Sequence, residues 1–146
     1  MRKYIFLDID GVLNTKSSWK RTPYHLDKEK VSILADAAKT AGTEIVLTST
    51  WKNGFEKVYE ECTPQIQKLR DMLKVYGMDV SDKTPDLRGR TRDKEIERFL
   101  YFHPADKYVV VDDDSSLFDN KKNLYLIDCN VGIRTSDVKK IVGMLR

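Results

Sequence analysis

Short β-branched and aromatic runs alternate along this chain with stretches of helical period, and that alternation restricts it to a mostly parallel sheet covered by helices. Residues 3–7, Lys-Tyr-Ile-Phe-Leu, read as a first strand that stops at Asp8-Ile-Asp10-Gly11. Val31, Ile33, Leu34, Ala37, Ala38 and Ala41 then mark one face of a helix from Lys28, closed by Gly42. Residues 44–48 follow as a buried strand, and strand, helix and strand make a right-handed βαβ unit. A second helix opens at Cys62 or Thr63, carries Ile66, Leu69, Met72, Leu73 and Tyr76 on one face, and ends at Gly77. The 78–91 stretch is loop-like, with room for a short strand at Met78–Val80.

A third helix covers about 92–102 and is stopped by Pro104. Strands follow at 108–111 and 124–127, and a last helix is capped by Thr135 or Ser136. Residues 14–27 are polar, hold Pro23, and read as an irregular excursion. The expected architecture is a three-layer Rossmann-like α/β domain over residues 1–146. That length suits a single domain with a real core. No apolar run approaches the ~20 residues of a membrane helix, and Asp8 and Asp10 interrupt the apolar start before a signal peptide could form. Cys62 and Cys129 lie far apart without metal-ligand spacing, so two free thiols in a reducing cytoplasm are expected.

Ligands of parallel sheets sit at the carboxyl ends of the strands. Three strands here end in polar residues: Asp8/Asp10, Thr48/Ser49 and Asp112/Asp113/Asp114. Asp8 and Asp10 stand two apart, so both carboxylates can lean into one space. Asp8 is the candidate nucleophile toward phosphorus and Asp10 the candidate general acid and base, with Gly11 allowing a sharp turn after them. A carboxylate approaches a phosphate dianion only where the repulsion is neutralised, which suits Mg²⁺ held by Asp8, Asp112 or Asp113, and the Asp10 backbone. Thr48 and Ser49 offer hydroxyls to a phosphoryl oxygen. Arg88, Arg90, Arg92 and Lys94 are the available cations. Trp51, beside the site, can stack on a base, although filling a packing gap is the reading favoured for it. Trp19 can contact substrate from the first excursion, while Tyr59, Tyr76 and Tyr101 read as core or boundary residues. The net charge of +3 is too mild to name a partner.

The order of these pieces resembles the haloacid dehalogenase (HAD) superfamily. Its first motif, Asp-x-Asp-Gly-Val/Thr-Leu after a hydrophobic strand, matches Asp8-Ile-Asp10-Gly-Val-Leu. Its second-motif hydroxyl matches Thr48, its acidic fourth motif Asp112-Asp113, and its third-motif cation Arg92 or Lys94, with Arg92 favoured. The chain is similar above all to small capless members, including the phosphatase-like domain of bacterial RNA-repair proteins. Those share Leu47-Thr-Ser-Thr-Trp51, Arg92-Asp-Lys-Glu-Ile96 and the Val-x-Asp-Asp-Asp strand end.

The resemblance implies an aspartyl-phosphate mechanism, with the second Asp of the fourth motif binding the metal directly. The second Asp of motif one marks the phosphatase and phosphomutase branches. About 14 residues separate Asn14 from the first helix expected, too few for a large cap, and the 49–94 segment is also too short for one. An open site suits a phosphorylated substrate that is a small molecule or a nucleic-acid end, with no membrane and no obligate protein partner. Receiver and Toprim domains place their acidic residues in a different order. The remaining alternative is a non-catalytic phosphate- or nucleic-acid-binding module that keeps the pocket.

Overall fold

The computed structural model describes residues 1–146. Five strands, β1 (Lys3–Leu7), β2 (Glu44–Leu47), β3 (Val80–Lys83), β4 (Lys107–Asp112) and β5 (Leu124–Leu126), form one sheet. The spatial order is β3-β2-β1-β4-β5, and every neighbouring pair is parallel. The helices are α1 (Lys16–Arg21), α2 (Lys28–Ala41), α3 (Pro64–Val75), α4 (Arg92–Phe102) and α5 (Thr135–Met144).

Side chains alternate across a strand, and here the alternation sorts the core into two unequal layers. Ile5, Leu7, Ile45, Leu47, Val109 and Val111 face the larger cluster, which they share with Leu34 of α2, Leu69 of α3 and Ile141 of α5. Tyr4, Phe6, Val46 and Val110 face the other way, against Ile96 and Phe99 of α4. The result is a three-layer α/β domain with α4 alone on its side of the sheet. No helix is long and apolar enough to cross a membrane. Both cysteines are free, Cys62 buried and Cys129 half-buried.

Four local expectations need correction. Residues 16–21 of the first excursion are helical, because Thr15 and Ser18 form a reciprocal cap: each side chain accepts from the other's backbone N–H. The third strand begins at Val80 rather than Met78. Gly77, at φ 78°, ends α3 in the left-handed region, and the Met78 N–H bonds back to Leu73 O (3.0 Å). Met78 therefore belongs to the helix terminus and is not free to join the sheet. At α5 the capping position is Arg134, whose N–H donates to the Asp137 carboxylate (2.7 Å), and Thr135 is already helical. Tyr101 is no boundary residue: it is 78% exposed on α4, edge-on to the also exposed Phe102.

Candidate active site

β1 and β4 are adjacent and in register at Leu7↔Val111, so their carboxyl ends deliver Asp8 and Asp112 side by side. Asp8 is 4% exposed and Asp112 is fully buried. Arg92, the first residue of α4, sends one guanidinium nitrogen to both, 3.0 Å from Asp8 Oδ1 and 2.6 Å from Asp112 Oδ2. The other Asp112 oxygen accepts the N–H groups of Asp113 (2.8 Å) and Asp114 (3.1 Å). Asp112 is thus fully engaged by the protein and acts as a brace. Asp113 lies beside Asp8, passing over Gly11, where a β-carbon would overlap its carboxylate. Gly11 also has φ 86°, so both the turn and the approach of Asp113 exclude a side chain there. Its N–H is taken by Asn14 Oδ1 (2.8 Å).

The electrostatics follow from this crowding. Burial pushes the Asp8 pKa well above the usual carboxylate range, the Asp112 charge pushes the same way, and Arg92 only partly opposes them. Burial also raises Asp112, again against Arg92. For Arg92 burial disfavours the charge, but Asp8 and Asp112 outweigh it and raise its pKa. Asp8, Asp112 and Asp113 offer carboxylate oxygens that all lie within 4.8 Å of one another, with this one guanidinium among them. An all-oxygen donor set with uncompensated negative charge fits a hard divalent cation such as Mg²⁺. Asp8 and Asp113 are the members free to face it.

Asp10 stands apart from that group. Its Oδ1 accepts from Asn14 Nδ2 (3.0 Å) and its Oδ2 from Trp51 Nε1 (3.3 Å). The Asp10 side chain is therefore held outside that group, at the edge of a groove that it helps to line. Thr48, at the end of β2, is 2% exposed, and its hydroxyl has no partner in the protein. It lines a cavity of about 390 Å³ together with Arg92, Arg90 and Thr91. Ser49 is differently employed: its hydroxyl accepts the Trp51 N–H (3.1 Å) and caps the short 3₁₀ turn at 50–54. Trp51 is 5% exposed and packs in the main core.

Lys94 does not join the cluster. It sits two residues after Arg92, about 200° around the helix, and pairs with Glu97 (3.5 Å) on the exposed side. Asn14 and Lys52 also belong to the site. Asn14, fully buried, also donates to His25 O (2.9 Å) and so links Asp10 to the first excursion. Lys52, 5% exposed, reaches Glu95 (2.9 Å), Thr84 Oγ1 (3.1 Å) and Pro85 O (3.1 Å). Asn14 was legible as the residue closing the first-motif turn; nothing in the sequence separates Lys52 from any surface lysine.

Sheet order, carboxylate placement and the lack of a large cap together define a capless HAD-like Rossmann domain. The family model described as the HAD domain in Swiss Army Knife RNA repair proteins matches residues 4–138, and the chain belongs to that family. No curated protein and no solved structure matches the chain.

Proposed function

We propose that the protein is a Mg²⁺-dependent phosphatase that works through an aspartyl-phosphate on Asp8, with a nucleotide or nucleic-acid end as substrate. The observation that carries this reading is the Asp8 carboxylate, oriented by Arg92 at 3.0 Å beside a buried Thr48 hydroxyl that has no protein partner. An unpaired buried hydroxyl is costly unless something outside the chain completes it, and a phosphoryl oxygen is suited to do so.

An Asp8 oxygen attacks phosphorus, the bond from phosphorus to the leaving oxygen breaks, and Asp10 gives that oxygen its proton. Water then attacks the phosphorus of the aspartyl-phosphate while Asp10 takes the water's proton. The bond to Asp8 breaks, inorganic phosphate leaves, and both carboxyl groups return to their starting states. Arg92 fixes the Asp8 oxygen and offsets charge, and Thr48 donates to the transferring group. Asp8 and Asp113, with Asp112 steadying Asp113 through its backbone N–H, would hold Mg²⁺, which would neutralise the charge that otherwise repels a phosphate. The family's link to RNA repair supports a nucleic-acid end, as do exposed Arg88, Arg90 and Arg98 along the neighbouring cavity.

Phosphate release from mononucleotides, sugar phosphates and 5′- or 3′-phosphorylated oligonucleotides tests the reading. Release with Mg²⁺ that stops in chelator is expected. Binding of these ligands without any release would favour the non-catalytic module instead.

A further inference from the structure

We infer that the groove beside Asp10 is a nucleobase site, so that the leaving group of the reaction is a nucleoside. This rests on the hydrolytic reading above and deepens it. The groove has a volume of about 690 Å³ and is walled by Trp19, Tyr24 and Trp51, with Lys20, Asn53 and Gln65 around them. That is ample for a nucleoside, within the ~300–1,000 Å³ of small-molecule sites.

The leaving oxygen departs beside the group that protonates it, so the rest of the leaving group lies on the Asp10 side. Asp10 lines this groove, whereas Thr48 and Arg92 line the adjoining cavity, which meets the groove at Thr50 and Asn53. The two spaces also differ in chemistry. The Arg92 side carries Arg90, Lys52 and several hydroxyls together with Asp86 and the Lys52-paired Glu95, and the Asp10 side carries three aromatic rings.

Tyr24 is the residue that packing does not explain. It is 54% exposed, and its ring meets that of Trp51 edge-on, with centroids 5.4 Å apart at 73°. Its backbone lies at φ 62°, a region that a bulky L-residue occupies only where its surroundings force it. Asn14 supplies one such tie, donating to the carbonyl of the next residue, His25, and to Asp10. Trp51 makes the matching tie from the other wall through its own bond to Asp10. An external aromatic ring held in place by the general acid's own partners presents a planar apolar face to the leaving group. A nucleobase, planar on both sides, stacks on such a face. Lys20, Asn53 and Gln65 then meet the polar edges of the base.

The test uses oligonucleotides phosphorylated at the 5′ or the 3′ end, whose terminal residue is either intact or abasic. Their affinities are measured with Mg²⁺ by fluorescence polarisation on Asp8→Asn protein, which cannot consume them. An intact end should bind roughly tenfold more tightly than the abasic one. Tyr24→Ala in the same background should remove that preference, and Tyr24→Phe should keep it. Equal affinities for intact and abasic ends, or a preference that survives Tyr24→Ala, would overturn the proposal. Phosphate release by the unaltered protein is followed in parallel. A base preference without release leaves the groove standing and removes the phosphatase, while release without a preference removes the groove alone.

Discussion

Asp8 carries a cost that can be measured without any substrate. Its folded-state pKa is raised by burial and by Asp112, so its contribution to stability is fully present below the unfolded value of about 3.9. That contribution is lost as pH rises through the folded value. At neutral pH Asp8 therefore costs the metal-free protein stability, and Asp8→Asn removes that cost while an amide oxygen still accepts from Arg92. The substitution should raise Tm by roughly 3 °C at pH 7, about 1 kcal/mol for a chain of this size. The gain should shrink toward pH 4, and added Mg²⁺ should stabilise the unaltered protein more than the variant. A lower Tm for Asp8→Asn at pH 7, measured calorimetrically without metal, would contradict this electrostatic picture. Asp8, Asp10 and Asp113 were legible as residues because a strand end of known type announces them. Their partners were not. Asp10 bonded by Asn14 and Trp51, and Asp112 spent on Arg92 and two backbone N–H groups, depend on contacts made across the fold.

The elements that hold the site are α4 and the segment before it. Arg92 reaches Asp8 only if α4 starts where it does, and the Lys52–Glu95 pair secures that start. Glu95 accepts from Lys52 (2.9 Å) and from the Leu87 N–H (2.9 Å), while Lys52 also holds Thr84 and Pro85. One buried pair thus ties the 50–54 turn, the 84–91 loop and the first turn of α4 together. Lys52→Met leaves Glu95 charged and without its cation, which should cost about 3–5 kcal/mol. Denaturant unfolding should show this as a lower midpoint, and an unchanged midpoint would mean that water already screens the pair. Helices with a strong apolar period, such as α2 and α4, could be read almost to the residue. The short α1 and the start of β3 could not, because a Thr15–Ser18 cap and a helix terminus that absorbs Met78 outweigh local composition.

At the scale of the whole molecule, three-layer packing leaves the carboxyl edge of the sheet uncovered by any large cap. The surface around the site must then supply the binding energy that a closing cap would otherwise contribute. Arg88, Arg90 and Arg98 border the cavity next to Arg92, in position for neighbouring phosphates of a strand. A phosphorylated oligonucleotide should therefore have a higher kcat/KM than the matching mononucleotide. The ratio should fall several-fold between about 50 and 200 mM salt, as counterion release requires. Equal values at both salt concentrations would point to a small substrate. The central claim, that Asp8 itself carries the phosphoryl group, is tested most directly by acid-quenching the protein during turnover and locating bound phosphate by peptide mass spectrometry. The expected result is a phosphorylated peptide containing Asp8, with neither that peptide nor phosphate release in Asp8→Asn. Phosphate release that continues at near-normal rate in Asp8→Asn, with no phosphoryl group on the chain, would contradict the account.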